Sequence, residues 1–377
     1  YRRPSTGWGH AVQERGRPVG HRGGRYGLGV EGRAIAGIAM LLMVLLAFTL
    51  AAFLTSDSDR YVIPHVSAEP IDTVAPTLVV DAPGDRARPN QRTLAPYRGL
   101  GAWVDLFDAH PGLASGAPTV WPAEVAGMAA QGVQTLFLQG ARAAQSARFP
   151  TTDPWLLAEY LLAGHASGIA IVAWYLPMWE EGDEDLDRLV ALSAFEVLGH
   201  RFDGISVDIE WTDDDLEPEE RGRRLVDLSQ RLRNTVGTDA LGAIVMPPVV
   251  TDVINLDFWP GFPWDGIRST YDVWLPMAYW SFRTEEHADP LYYTAENVRL
   301  LRQNLGDGSA VVHGVGGIGV ADGSDLPDPG EPLAALGDLD GFLAALEEVG
   351  AVGGSIYDWV TTGPEARQRL AAAFAGS

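Results

Sequence analysis

From residue 97 onward, short apolar runs alternate with stretches whose hydrophobic residues recur with helical spacing. Apolar runs bounded by turn residues are typical of buried strands. We predict eight strands, at 99–106, 133–139, 169–175, 204–210, 241–246, 273–279, 311–315 and 354–359. Predicted helices lie between them at 154–168, 185–198, 218–234, 294–305 and 339–349, and two more begin at Pro122 and Pro364.

Eight strand–helix units in succession predict an α/β fold of the (β/α)8 TIM-barrel type. A doubly wound open sheet is the main alternative, but no Gly-rich phosphate loop follows the first predicted strand. We therefore place the barrel at residues 97–377.

The fourth predicted strand has the clearest alternation. Its odd positions are Ile205, Val207 and Ile209, while its even positions are polar, namely Ser206, Asp208 and Glu210. Because side chains alternate between the two faces of a strand, the acidic residues share the inward face of a barrel. They would lie about 6 to 7 Å apart along the strand, at the carboxyl end where TIM barrels carry their active sites.

The N-terminal part differs in composition. Residues 1–33 are rich in Arg and Gly and are predicted to be a disordered cytoplasmic tail. Residues 34–54 contain no charged side chain and are long enough to span a bilayer as a single helix. A signal peptide is the rival interpretation. Arginines before this segment and acids after it predict that the Pro-rich linker 55–96 and the barrel lie outside the membrane.

Charge and composition exclude some classes. Residues 1–54 contain seven Arg and two acidic residues, which leaves 20 Arg against 48 acidic residues in the rest of the chain. A nucleic-acid partner requires basic surface, so we exclude that class. Cysteine is absent, which excludes disulfides and thiolate sites. The eight His residues have no zinc-motif spacing, and two acidic clusters lack calcium-loop spacing, so we expect no metal and no cofactor.

Aromatic and acidic residues concentrate where the predicted strands end. Aromatic rings stack on the C–H faces of sugars, and carboxylates or amides bind hydroxyl groups, so this rim is typical of a carbohydrate site. The candidates are Trp103, Asp105, Gln139, Trp174, Tyr175, Trp179, Tyr279, Trp280, Tyr357, Asp358 and Trp359.

Three of these strand ends resemble glycoside hydrolase family 18, the chitinases and endo-N-acetylglucosaminidases. Asp203–Glu210 resembles that family's D-G-x-D-x-D-x-E pattern, with Ser206 where the family has its first inner Asp. Met277–Trp280 is similar to M-x-Y-D, with Trp in the last place, and Gly353–Trp359 is similar to the Gly-rich last strand, with its Trp one residue late. The S-x-G-G element is replaced by Ile171–Trp174. The likeness implies a distant relative.

The resemblance implies roles for the site. Glu210 would be the general acid, Asp208 would orient and stabilise a substrate acetamido group acting as nucleophile, and Tyr279 would bind the acetamido oxygen. A neighbouring carboxylate also raises the pKa of such an acid. Further substrate-binding residues would be Ser206, Asp105, Gln139, Trp174, Trp280, Asp358 and Trp359. If a second carboxylate acts directly, the candidates are Asp105, Glu180, Asp272 and Asp358.

The resulting hypothesis is a membrane-anchored, outward-facing glycoside hydrolase acting on an N-acetylhexosamine-containing glycan. One alternative is a lysozyme-type muramidase similar to family 25, with Asp105 as an acid on the first strand. A second is a non-catalytic carbohydrate-binding barrel, although Glu210 is retained.

Overall fold

The structure, a computed structural model, describes residues 91–114, 118–143, 149–212 and 216–376. Eight parallel strands form a closed barrel in which each strand lies beside its neighbours in the sequence and the last pairs with the first. The strands are β1 (Gly99–Val104), β2 (Thr135–Gln139), β3 (Ala170–Tyr175), β4 (Gly204–Ile209), β5 (Leu241–Val245), β6 (Val273–Ala278), β7 (His313–Gly316) and β8 (Gly353–Ile356). The predicted (β/α)8 barrel is confirmed, and the open-sheet alternative is wrong.

A helix follows each strand. These are α1 (Val125–Ala130), α2 (Pro154–Ser167), α3 (Glu184–Ala194), α4 (Pro218–Val236), α5 (Trp264–Ile267), α6 (Pro290–Leu305), α7 (Asp338–Val349) and α8 (Pro364–Phe374). One-turn helices occur at Leu106–Ala109, Ala95–Tyr97, Pro122–Glu124 and Glu285–Ala288, and a π-helical turn at Val250–Ile254. Two-residue strand pairs join Glu196–Val197 to His200–Arg201 and Val320–Ala321 to Ala334–Ala335.

Two predicted helix boundaries were wrong. The helix predicted to reach residue 198 ends at Ala194, because the chain then turns back through Leu198 and Gly199, both at positive φ (50° and 79°). The helix predicted to begin at residue 294 begins at Pro290, where the Asp289 carboxylate accepts a hydrogen bond from the Tyr292 amide at 2.8 Å. An N-cap of this kind satisfies an amide that has no partner within the helix.

The alternation along β4 places its residues as predicted. Ile205, Val207 and Ile209 are fully buried in the layer between the barrel and its helices. The barrel interior is a separate apolar cluster that includes Phe137, Val172, Leu275 and Met277. One face of β4 therefore stabilises the helix layer, and the other is left to furnish the barrel's interior and mouth.

Tyr97, just before β1, closes the lower end of the barrel. Its hydroxyl donates to the Ile205 carbonyl at 2.9 Å and accepts from the Ser206 hydroxyl at 3.4 Å. Gly242 on β5 makes room for this contact, since a Cβ atom there would lie 2.3 Å from the Ser206 oxygen. A side chain at position 242 would therefore displace the Tyr97 ring from the lower end of the barrel.

Arg92 fastens the start of the described chain to this lower end. Its guanidinium donates to the Asp239 carboxylate at 2.8 Å, to the Phe202 carbonyl at 2.9 Å and to the Ser193 carbonyl at 2.8 Å. The barrel therefore already includes Arg92, a few residues before the predicted boundary at 97.

The predicted membrane span at 34–54 lies outside the described residues, as do the tail 1–33 and the linker up to residue 90. Among the helices that the structure describes, none is both long and apolar enough to cross a bilayer.

Candidate active site

Asp208 is the last inward-facing residue of β4 and reaches the barrel's mouth. It is only 6% exposed, and one carboxylate oxygen, Oδ1, is buried without a hydrogen-bond partner among the described residues. Burial, and then the charge of Glu210, hold the pKa of Asp208 well above its usual range. Glu210 follows directly after the strand and is half-buried. The two carboxyl groups therefore interact strongly in a poorly hydrated mouth.

Tyr279 faces this acid pair from the end of β6. It is buried, and its pKa is raised well above the ordinary value by burial and then by the charges of Glu210 and Asp208. The hydroxyl therefore stays protonated at neutral pH and can donate a hydrogen bond to a ligand oxygen. The structure thus brings together the three residues for which the sequence predicts catalytic roles.

Aromatic rings form the floor beneath these groups. Trp103 on β1 stacks on Phe137 at 4.3 Å between ring centroids, with an interplanar angle of 12°. The ring of Trp174 lies edge-on at 6.1 Å from Trp103, and that of Tyr357 lies at 6.0 Å from Trp103 and 6.1 Å from Tyr279. The Trp174 indole N–H is buried and has no hydrogen-bond partner in the described part of the chain.

A hydrogen-bond chain fixes the Trp103 ring from below. The Trp103 indole donates to Ser355 Oγ at 2.8 Å, and Ser355 Oγ lies 2.9 Å from His313 Nε2. Burial lowers the pKa of His313 to about 4, so this ring is neutral at pH 7. Its Nδ1 lies 2.9 Å from the Tyr97 carbonyl and must donate to it, which leaves Nε2 to accept from Ser355. His313 is therefore a structural residue at the barrel's lower end.

Acidic residues also meet at the adjoining ends of β1 and β8. One oxygen each of Asp105, Asp108 and Asp358 lies within 4.8 Å of the others, and all three residues are buried. Asp105 caps the one-turn helix after β1 by accepting from the Phe107 amide at 2.8 Å, and its other oxygen accepts from the Tyr357 hydroxyl at 3.1 Å. Asp358 accepts from the Thr361 amide at 2.9 Å. Carboxylates suit a hard cation, and these carboxylates also hold the local turns.

Gln139 lies beside this group at the end of β2. Its side-chain oxygen accepts from the Leu106 amide at 3.1 Å. Gln139 and Asp105 therefore both fix the segment that follows β1, at the rim where the sequence places them.

Three predicted substrate-binding residues do not line the mouth. Ser206 is fully buried one layer below Asp208, where it donates to Tyr97. Trp280 points outward, packs against Phe342 of α7 and donates to Asp338 at 3.0 Å.

Trp359 is the third. Its ring packs beneath the Arg367 guanidinium of α8, with 3.7 Å from the guanidinium carbon to the ring centroid. Strand alternation accounts for Trp280, because a residue next to an inward-facing one points outward. It does not account for Trp359, because the chain leaves the strand after Ile356.

Two of the four candidates for a second carboxylate, Asp272 and Glu180, lie away from the mouth. Asp272 precedes β6 at the lower end of the barrel, where it accepts a hydrogen bond from Arg233 and another from the Leu241 amide at 2.9 Å. Glu180 is exposed in the loop after β3. Asp105 and Asp358 remain at the mouth.

Sequence reasoning gave too little weight to Tyr357 and did not find Glu331. Tyr357 follows Ser355 by two residues, so alternation along β8 predicts that it faces inward. Glu331 lies in the long segment between β7 and α7, and its charge is one of those that raise the pKa of Tyr279. No sequence signal connects a loop residue of this kind with a site.

No protein-family model matches the chain, and no curated protein matches its sequence. Solved structures do match. The spore cortex-lytic enzyme SleL of Bacillus megaterium QM B1551 aligns with a TM-score of 0.51 and 9% identity, over 76% of this chain and 75% of that one.

Two chitinase structures align equally well. Active domain 2 of the Pyrococcus furiosus chitinase gives a TM-score of 0.51 and 12% identity, over 76% of this chain and 97% of that one. The class V chitinase of Nicotiana tobaccum gives 0.51 and 12%, over 74% and 99%. The distant structural relation to chitinases that β4 indicates is thereby confirmed at the level of the fold.

Proposed function

We propose that the protein is a glycoside hydrolase of the family 18 type that cleaves an N-acetylhexosamine-containing glycan, with Glu210 as general acid. The observation that carries this proposal is the buried Asp208 oxygen without a described partner, lying beside Glu210 in the barrel's mouth. A buried polar group without a partner costs about 1–3 kcal/mol, so a site that keeps one in its mouth fits a ligand that supplies the missing hydrogen bond.

The chemistry follows from the positions of these groups. The acetamido N–H of the substrate would donate to Asp208, and the Tyr279 hydroxyl would donate to the acetamido oxygen. That oxygen would attack the anomeric carbon as the glycosidic bond breaks, while Glu210 transfers its proton to the leaving oxygen. The Asp208–Glu210 pair shares one proton, so the step requires that substrate binding shift this proton to Glu210, which leaves an ionised Asp208 to stabilise the positive charge of the cyclic intermediate. Water then hydrolyses the intermediate, giving a proton to Glu210, with retention of configuration.

The aromatic floor supports a sugar ligand. Trp103 and Tyr357 lie under the mouth, and the Trp174 indole N–H adds a buried donor there. A pyranose ring offers C–H faces to these rings and hydroxyl or amide groups to the donor and acceptor atoms. The fold shared with two chitinases and a cortex-lytic enzyme is consistent with this substrate class.

The test is the Glu210→Gln variant of the full chain, assayed on chitin oligosaccharides and purified peptidoglycan. We expect turnover to fall at least ~100-fold, because Gln keeps the side chain's shape but cannot donate the proton. The matched control is Glu347→Gln, an exposed position on α7, which should retain full activity. A folded Glu210→Gln protein with normal activity would refute the assignment.

The two substrates also separate the alternatives. Cleavage of peptidoglycan with inversion, or equal rates on substrates with and without the N-acetyl group, would reject substrate assistance. A direct second carboxylate would then be required, and Asp105 or Asp358 would be the place to look for it.

We further propose that residues 34–54 anchor the barrel to the outer face of the cytoplasmic membrane. The support is the uncharged run of spanning length, with arginines on its N-terminal side. Protease added to intact spheroplasts should digest the barrel. Recovery of a protein that begins near residue 55 from the culture fluid would indicate a cleaved signal peptide instead.

A further inference from the structure

We propose that His165 and His200 form a binding site for a divalent transition-metal ion of the Zn²⁺ or Cu²⁺ type, at the lower end of the barrel and remote from the mouth. His165 lies in the last turn of α2, and His200 lies in the short hairpin that precedes β4. Their Nδ1 atoms are 2.7 Å apart, and the ring centroids are 4.9 Å apart. The site is independent of the proposed hydrolase activity.

Asp203 sets the orientation of the first ligand. The Nε2 atom of His165 lies 2.9 Å from the Asp203 carboxylate, which also accepts from the Ile171 amide at 2.7 Å. A carboxylate can only accept here, so Nε2 carries the proton. In the neutral ring, Nδ1 then presents its lone pair toward His200. A carboxylate behind a ligating His is the arrangement that fixes tautomer and ring orientation in metal sites.

The pair of rings contains one proton that a metal ion can replace. With a lone pair on His165 Nδ1, the 2.7 Å contact requires His200 Nδ1 to carry the hydrogen. A metal ion between the two atoms would release that proton to solvent and bind both lone pairs. Zn–N bonds of about 2.0–2.1 Å in tetrahedral geometry place two ligand nitrogens about 3.3 Å apart. The rings therefore need to separate by only about 0.6 Å.

The surroundings permit this movement and the entry of an ion. His200 is exposed on the hairpin whose turn is Leu198–Gly199. A hollow of about 640 Å³ on this face is lined by His165, His200 and Asp203 among others, so water can complete the coordination. Two imidazoles favour zinc, copper or nickel over magnesium or calcium, which prefer oxygen ligands.

Binding would cross-link three elements. The metal would join the end of α2 to the hairpin. The hydrogen bond from His165 to Asp203, the residue just before β4, would connect the site to that strand. A ligand that binds only the folded state raises the temperature of unfolding, so metal should stabilise the barrel without changing the chemistry at its mouth.

The experiment uses the full chain without an affinity tag, stripped with chelator and titrated with ZnSO₄ by calorimetry and with CuSO₄ by electron paramagnetic resonance. We compare wild type with His165→Ala/His200→Ala, and with His287→Ala as a control at another position. The wild type and the control should bind one more zinc ion than the double variant. The copper spectrum of the wild type should show hyperfine coupling to two nitrogens.

Asp203→Asn provides the graded test. It should weaken zinc binding about 10–100-fold while leaving the stoichiometry unchanged, as removal of an outer-shell partner does. If the double variant does not fold, His200→Ala alone, at the exposed position, serves in its place. Equal zinc stoichiometry and affinity in wild type and the His variant, or a copper spectrum that the variant leaves unchanged, would overturn the proposal.

Discussion

The two ends of the barrel differ in whether their buried polar groups have hydrogen-bond partners. From the Trp103 ring in the floor down to the lower end, Trp103, Ser355, His313 and Tyr97 form one chain in which each donor meets an acceptor. At the mouth, Asp208 Oδ1 and the Trp174 indole N–H are buried without described partners. Satisfied networks stabilise a fold, whereas groups left without partners weaken it. The difference indicates that the lower end serves stability and that the mouth is arranged for a ligand.

Among the variants that test this comparison, Asp208→Asn should have the largest effect. Activity on an N-acetylated substrate should fall about 100-fold, in line with the loss of one preorganised group that stabilises charge in the transition state. The free energy of unfolding at neutral pH should rise in this variant, although its activity falls. Thermal unfolding and initial rates measured on the same preparation would show both effects.

The pH dependence of the free energy of unfolding shows why Asp208→Asn should be more stable than the wild type. Because the pKa of Asp208 is raised in the folded state, the folded protein holds a proton that the unfolded chain releases above the ordinary value of 3.8. The free energy of unfolding of the wild type should therefore fall as pH rises from that value through the raised native pKa. Asp208→Asn lacks this decline, so its advantage should grow with pH and vanish in acid. A variant less stable than the wild type at neutral pH would contradict the comparison.

Ser355→Ala tests the lower end. It leaves the Trp103 indole and His313 Nε2 without their shared partner, which should cost about 1–3 kcal/mol of stability. Chemical denaturation measures this loss. Activity at a temperature where the variant is fully folded should change less than in the Asp208 variant. A loss of activity as large as that of the Asp208 variant would remove the distinction between the two ends.

Trp174→Phe is expected to have the smallest effect. Removing one unpartnered N–H should stabilise the fold, and the smaller ring should lose packing, so the two effects offset and the free energy of unfolding should change little. If the indole donates to substrate, KM should rise about fivefold with kcat nearly unchanged, as expected for one neutral hydrogen bond. Initial-rate kinetics check this, and an unchanged KM would exclude the indole N–H as a contact of the bound sugar.

Much of this architecture was predictable because strand periodicity is local. The alternation along β4 placed Ile205 and Val207 outside and Asp208 inside, and the eight strands lie where the apolar runs predicted them. The errors begin where strands end, since the chain then turns and alternation no longer reports direction. Trp359 is one such error. Trp280 is predicted at the mouth from its place at a strand end, whereas the alternation with Tyr279 puts it on the outward face.

Other features depend on tertiary structure alone. His165 and His200 are 35 residues apart and meet because a helix end and a hairpin both reach the lower end of the barrel. Glu331 reaches the environment of Tyr279 from a long segment with no periodicity. Neither arrangement has a spacing that a sequence pattern could reveal.

The attachment of Arg92 also determines where mechanical load enters the barrel. A pull on the preceding chain would be transmitted through the guanidinium to Asp239, the Phe202 carbonyl and the Ser193 carbonyl. Phe202 and Asp239 precede β4 and β5, and Ser193 lies in the last turn of α3, so all three contacts are at the end of the barrel opposite the mouth. A pull on the preceding chain would therefore reach the barrel at the end opposite the mouth.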